Sequence, residues 1–359
     1  VLHAFVLGPS RPVLYLTLTS PQEAQRLLVD WNTPIAQNEA RRYVHHLVEE
    51  QAVERPDAVA VVHANEHLTY GDLNRRANSL AQLLRERGVA PQTPVGIYLT
   101  RSIEMIIAIL GTLKAGAVYV PIDPEYSTEW LEHILQDTGA PILLTQRALL
   151  GTLPDLSAEV IWLDKSAELS QPGDDSVTAV GDNDLAYIIY TSGSSGPPKG
   201  VEITHGALAN FVLEAVRIFE IQSSDRVLQF ASISFDTSVE EIFPCLTHGA
   251  TLMLRSDSML ESIPAFLEQC RDWAVTVLDL PTAYWHQLAM TLFGERWTLP
   301  SSMRLVIIGG ERAIAEKVAL WQACVSSAVR LLNTYGPTEA TVVSTVCDLT
   351  HLPIQCGVA

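Results

Sequence analysis

Short apolar runs, each about the length of one strand, recur along the chain with helical stretches between most of them. They are Pro94-Val-Gly-Ile-Tyr-Leu99, Val118-Tyr-Val120, Ile142-Leu-Leu-Thr145, Val160-Ile-Trp-Leu163, Leu185-Ala-Tyr-Ile-Ile-Tyr190, Val227-Leu-Gln-Phe230, Thr251-Leu-Met-Leu254, Val275-Thr-Val-Leu278, Leu305-Val-Ile-Ile308 and Arg330-Leu-Leu-Asn333. A run without polar alternation suits a strand buried on both faces, and alternation with helices implies parallel sheets covered on both sides. The expected class is therefore α/β, with parallel-rich β-sheets sandwiched by helices. Between Asp72 and Arg87, Leu73, Ala77, Leu80, Ala81 and Leu84 form the apolar stripe of an amphipathic helix, which Gly88 ends. Ser102 to Ala115 reads as a second helix. Ser20 to Trp31 reads as a short one, with Ser20 and Glu23 as a capping box.

Three segments at strand ends carry chemistry. Tyr190-Thr-Ser-Gly-Ser-Ser-Gly-Pro-Pro-Lys-Gly200 offers backbone amides, hydroxyls and one cation, Lys199, which suits a polyphosphate. It is not a Walker A loop, because the glycine spacing fails and Gly200 follows the lysine. In Asn333-Thr-Tyr-Gly-Pro-Thr-Glu339, Tyr335 presents a flat face for a purine, Thr338 a hydroxyl and Glu339 a hard oxygen ligand for Mg²⁺. In Phe235-Asp-Thr-Ser-Val-Glu-Glu-Ile-Phe243, Asp236 lies where a strand gives way to a helix and Glu240 is one turn on, on the same face.

Taken together, these segments resemble the core motifs of the adenylate-forming enzymes, most closely the adenylation domains of nonribosomal peptide synthetases. Leu68-Thr-Tyr-Gly-Asp-Leu-Asn74 and Leu113-Lys-Ala-Gly-Ala-Val-Tyr-Val-Pro-Ile-Asp123 resemble earlier motifs of the same family. The resemblance runs from about residue 44 to 350. It implies an enzyme, an AMP-forming ligase that activates an amino acid with ATP and Mg²⁺ as aminoacyl-AMP. The acyl group then passes to the phosphopantetheine of a carrier domain. By motif position, Thr191, Ser192, Gly193 and Ser194 should meet the phosphates, with Lys199 beside them, and Thr338 the α-phosphate. Glu339 should hold Mg²⁺, Tyr335 should stack on adenine, Asn333 should bond its amino edge, and Thr334, Gly310 and Glu311 should border it.

The same carry-over lines an amino-acid pocket with Asp236, Thr237, Glu240, Asp279, Ile307, Gly309, Thr334, Val342 and Val343. Asp236 is the family's partner for the α-ammonium. Glu240 and Asp279 place two further carboxylates in it, which repel each other unless a cation arrives. The expected substrate is therefore a cationic amino acid, lysine or ornithine ahead of arginine, since two separate acceptors suit an ammonium. Two alternatives stand beside it: a ligase of the acyl-CoA synthetase kind acting on another carboxylate, and a catalytically silent nucleotide-binding fragment.

The chain carries 23 basic and 41 acidic residues, a net charge of −18, which argues against binding nucleic acid. The longest apolar stretch, Met105 to Leu113, is too short to span a membrane. Five scattered cysteines, an odd count with no CxxC pair, read as reduced, buried thiols in a cytoplasmic protein. Residues 1–40, punctuated by Pro9, Pro12, Pro21 and Pro34, read as a connector from an upstream condensation domain. Residues 41–359 read as the adenylation-domain N-terminal core. The family's later aspartate for the ribose and its small C-terminal subdomain, with a lysine for the substrate carboxylate, have no counterpart here. The expectation is a segment of a longer chain that alone turns over weakly.

Overall fold

Ser20 opens the first helix, α1 (Pro21–Leu28), with the capping box read from the sequence: the Glu23 amide donates to Ser20 Oγ at 3.1 Å and the Ser20 amide to Glu23 Oε2 at 3.3 Å. The helix stops at Leu28, short of Trp31. The computed structural model describes residues 19–29, 42–164, 178–191, 198–295 and 297–352. The chain divides into two compact units, 1–41 and 42–359.

The second unit holds two sheets. After helix α2 (Val44–Glu54), strands β1 (Val59–His63) and β2 (Glu66–Thr69) form a hairpin that leads into α3 (Tyr70–Glu86). The Thr69 hydroxyl accepts from the Asp72 amide at 3.1 Å, so α3 begins two residues before the sequence reading, and its predicted stripe is fully buried. Then follow β3 (Pro94–Tyr98), α4 (Ile103–Lys114), capped by Ser102, β4 (Val118–Ile122), α5 (Thr128–Thr138), β5 (Ile142–Thr145), β6 (Glu159–Trp162), β7 (Leu185–Thr191) and β8 (Lys199–Thr204). Strands β3 to β8 build a six-stranded sheet in the order β6-β5-β3-β4-β7-β8.

Past α6 (His205–Phe219) come β9 (Arg226–Gln229), α7 (Thr237–Thr247), β10 (Thr251–Leu254), α8 (Ile263–Asp272), β11 (Val277–Pro281), α9 (Thr282–Gly294), β12 (Leu305–Gly309), α10 (Ala315–Cys324), β13 (Arg330–Tyr335) and β14 (Thr345–Asp348). They complete an eight-stranded sheet ordered β14-β13-β12-β11-β9-β10-β1-β2.

Both sheets are parallel within, and three of their four edge strands, β2, β14 and β8, run against their neighbours, while edge strand β6 is parallel to β5. The sequence reading missed these three, and the interior strand β1 as well. An antiparallel edge needs only a tight connection and one buried face, so it leaves no continuous apolar run. It counted Lys199 and Gly200 in a loop, whereas they open β8, with Lys199 opposite Thr191.

The strand periodicity sorts side chains between cores. Along β12, Leu305 and Ile307 join a core shared with α2, α3, α4, α6 and α7, whereas Val306 and Ile308 join one under α8, α9 and α10. The shared core takes residues from both sheets, including Val95, Ile189, Val227 and Leu252. A third core packs α5 on the six-stranded sheet.

The cysteines depart from expectation. Cys245 and Cys270 are buried, but Cys324, at the end of α10, and Cys347, on edge strand β14, are exposed, because neither has a second layer over it. Cys356 lies outside the described residues. Among the described residues, no helix is long and apolar enough to cross a membrane.

Candidate active site

Strands β11, β12 and β13 end side by side, and an open parallel sheet binds its ligands beyond such carboxyl ends. Asp279 and Pro281 come from β11, Gly309 and Gly310 from the end of β12, and Thr334 and Gly336 from the end of β13. Facing them, the chain leaves β9 through Phe230-Ala-Ser232 and enters α7 at Asp236, its N-cap. Together they enclose a cavity of about 420 Å³, a size that suits a small ligand.

Asp236, Thr237, Glu240, Asp279, Gly309, Thr334, Val342 and Val343 all line this cavity. Ile307 does not. It pairs with Asp279 across the strands and is buried in the shared core, one step before Gly309 on the same face. Sequence reasoning missed Arg255, Phe230 and Ser232, which also line the wall.

Two glycines make the close approach feasible. A Cβ on Gly309 would lie 2.8 Å from Thr334 Oγ1, and one on Gly336 would lie 2.3 Å from the Val342 carbonyl oxygen. Val342 reaches the cavity through strained backbone: Thr341 and Val342 have φ of 62° and 67°, a region costly for β-branched residues. The Thr282 hydroxyl donates to the carbonyls of Gly309 at 2.9 Å and Glu311 at 3.2 Å, which fixes the Gly309–Glu311 turn.

Three carboxylates enter the cavity underserved. Asp236 Oδ2, Glu240 Oε1 and Asp279 Oδ2 are buried without a hydrogen-bond partner among the described residues. Burial pushes the Glu240 carboxyl up to about 8, aided by the charges of Glu241 and Asp236. Burial, then Glu240, Glu241 and Asp236, lifts Asp279 well above the ordinary range. Asp236 is raised by burial and by Glu339, while the Thr338 hydroxyl pulls it down. Among the described residues the cavity wall holds one cationic side chain, Arg255. It is committed elsewhere, donating to the Phe230 carbonyl at 3.0 Å and to Asp257 at 3.1 Å.

Where the resemblance predicts the nucleotide, Tyr335 is 69% exposed. Asn333 Oδ1 is buried and unpartnered among the described residues. Thr338 and Glu339 form a short 3₁₀ turn, Thr338 beside Asp236 and Glu339 exposed. Gly310 and Glu311 are exposed too. Thr191 ends β7 opposite the exposed Lys199, at the mouth of the predicted phosphate loop. Ser192, Gly193 and Ser194 lie outside the described residues. Among the described residues no three His, Cys, Asp or Glu side chains group to hold a metal. Mg²⁺ at Glu339 would draw its other ligands from phosphate oxygens and water, the usual arrangement for this ion.

The chain is similar to much longer proteins. It is 45% identical over 312 residues to an isonitrile lipopeptide synthase of Streptomyces coeruleorubidus, covering 86% of this chain and 21% of that protein. It is 39% identical over 324 residues to tyrocidine synthase 1 of Brevibacillus parabrevis, covering 88% and 28%. The chain thus spans only a small part of each. Among solved structures, the AMPPNP-bound form of the nonribosomal peptide synthetase FmoA3 superimposes with a TM-score of 0.81 at 28% identity, over 97% of this chain and 37% of that one. The N-terminal subdomain of Klebsiella oxytoca NpsA, in complex with 3-hydroxybenzoyl-AMSN, shares the fold with a TM-score of 0.77 at 24% identity, over 88% and 78%. The family profile for AMP-binding enzymes matches residues 48–358, and the chain belongs to that family.

Proposed function

We propose that residues 41–359 are the N-terminal core of a nonribosomal peptide synthetase adenylation domain, an AMP-forming ligase that activates a cationic amino acid. The substrate carboxylate attacks the α-phosphate of ATP, giving aminoacyl-AMP and pyrophosphate. The acyl group then moves to a carrier domain's phosphopantetheine thiol. Residues 1–40 serve as connector from a condensation domain, and ATP dependence puts the reaction in the cytoplasm. The relatives support this reading, since one solved neighbour holds AMPPNP and another is an artificially fused adenylation–PCP di-domain.

In this reading Tyr335 stacks on adenine and Asn333 Oδ1 accepts from its amino group. Gly310, Glu311 and Thr334 border the base. Thr191, Ser192, Gly193, Ser194 and Lys199 meet the phosphates. Thr338 donates to the α-phosphate and Glu339 helps hold Mg²⁺, which when bound neutralises phosphate charge. Phosphoryl chemistry of this kind is mostly positioning and charge stabilisation. Asp236 takes the α-ammonium, which a fatty or aryl acid would leave unpaired.

The observation that carries the cationic substrate is the pair Glu240 and Asp279, each with a buried oxygen lacking a partner among the described residues. Burying an unmatched charge is unfavourable, so a side-chain ammonium both satisfies and ionises them. The test is ATP–pyrophosphate exchange with single amino acids by the full-length domain, extended through the C-terminal subdomain. Lys and Orn are expected ahead of Arg, and far ahead of Leu and Phe. Leu or Phe in front would reject the cationic assignment. Exchange with aryl or fatty acids alone would favour an acyl-CoA synthetase-like ligase, and nucleotide binding without exchange a silent module.

A further inference from the structure

One wall of the cavity is held from behind by residues that do not line it. Successive residues on a helix point roughly 100° apart. On α7 this sends Glu240 into the cavity and its neighbour Glu241, 1% exposed, toward the end of β9. Glu241 Oε1 accepts from the backbone amides of Phe230 at 2.9 Å and Ala231 at 3.0 Å, and Oε2 from the Gln229 side-chain amide at 2.7 Å. Arg101, just beyond β3 of the other sheet, donates Nε to Gln229 Oε1 at 2.6 Å. Its Nη2 donates to the carbonyls of Phe230 at 2.9 Å and Ala231 at 2.7 Å. Every backbone donor and acceptor of Phe230 and Ala231 is thereby engaged. The Ser232 hydroxyl is tied to Asp123, which follows β4. Phe230, Ala231 and Ser232 are cavity wall.

We infer that Arg101 and Glu241 are positioning residues for the amino-acid pocket, setting the Phe230–Ser232 wall from the two sheets without touching the substrate. This rests on the adenylation reading above. Tyr335, Asn333 and the Thr191–Lys199 mouth are not among the clamp's partners. Loosening it should therefore act on the amino acid and spare the nucleotide.

The test uses Arg101→Lys and Glu241→Gln in the full-length domain, extended through the C-terminal subdomain. Lysine keeps the charge but not the planar fork that reaches three acceptors, and glutamine keeps the shape but puts a donor where donors point. Pyrophosphate exchange is measured with amino acid and ATP varied separately, beside hydrogen–deuterium exchange of peptides covering residues 229–232. The expected result is an amino-acid KM raised about tenfold or more, an ATP KM within about twofold, and lost protection at residues 229–232 with β10 unchanged. Equal shifts in both KM values would overturn the inference. So would an unchanged amino-acid KM or unchanged protection at residues 229–232. An unaltered protein extended through the C-terminal subdomain that exchanges with no acid sinks the adenylation reading and this inference together. A normal parent whose variants show no KM split sinks this inference alone.

Discussion

Glu240 and Asp279 enter one cavity from different elements, the first from helix α7 and the second from strand β11, and each keeps one carboxylate oxygen buried and unpartnered among the described residues. A ligand cation placed between them would join two segments that share no backbone pairing. Breaking such a buried pair costs about 3–5 kcal/mol, or on the order of 10²–10³ in selectivity. Glu240→Gln and Asp279→Ser should each cut the preference for Lys and Orn over Leu by that order. Variants that keep full cation selectivity in pyrophosphate exchange would reject the assignment.

The ligand-free protein should carry a pH signature of the same carboxylates. Glu240 is raised from 4.5 to about 8, so over that window the folded state holds more protons than the unfolded one. Its contribution is complete below about pH 4.5 and is lost as pH rises through 8. Relative to the parent, Glu240→Gln should therefore gain thermal stability with rising pH across this window. A difference in melting temperature that stays flat with pH would contradict it.

A buried imidazole cluster sets the opposite limb. The rings of Tyr43 and His45 both lie 5.4 Å from His205, and neither nitrogen of His45 or His205 has a hydrogen-bond partner among the described residues. Burial pushes His205 down from 6.5 to about 4, with Asp184 opposing the shift and His46 adding to it. Stability from this site is present above pH 6.5 and drains as pH falls toward 4. His205→Phe keeps a ring and removes the titration. Its melting temperature should fall less than the parent's between those values.

Gly336→Ala should damage the site from within. Its Cβ would meet the Val342 carbonyl at 2.3 Å and the Ser344 amide nitrogen at 2.8 Å, both backbone atoms with little freedom to move. Overpacking of this kind costs roughly 1–3 kcal/mol. The expected result is a matching loss by urea unfolding, together with weaker amino-acid binding as Val342 and Val343 shift. Wild-type stability in the variant would show that the Gly336–Ser344 turn can relax.

Most elements were legible because their signals are local. The stripe from Leu73 to Leu84, the Ser20 cap, and the apolar runs of β5, β10 and β12 each depend on residues a few positions apart. Asp236 and Glu240 were readable together because they lie one turn apart at a helix start. Arg101, Glu241 and Thr282 were not. Arg101 acts on a residue 128 positions away, and no periodicity encodes that distance. Nor does a propensity foresee left-handed backbone at Thr341 and Val342, where the surrounding chain overrides the preference of a β-branched residue. Ile307 lies one strand step before the cavity residue Gly309 and is core, because motif position supplies the face but not the depth.

Strands β12 and β13 spend their length in the two cores and reach the cavity only at their ends: Leu305 to Ile308 are core and Gly309 is cavity, and Leu331 and Leu332 are core and Thr334 is cavity. Cavity wall and core are thus written on different residues of the same strand. Under the proposed pocket assignment, half-buried Val343 is the position to edit first, since Thr334 and Glu240 are themselves buried. Asp279 and Thr334 both lie within their strands, beside Ile307 and Val346. A replacement at either meets that lateral neighbour as well as the cavity.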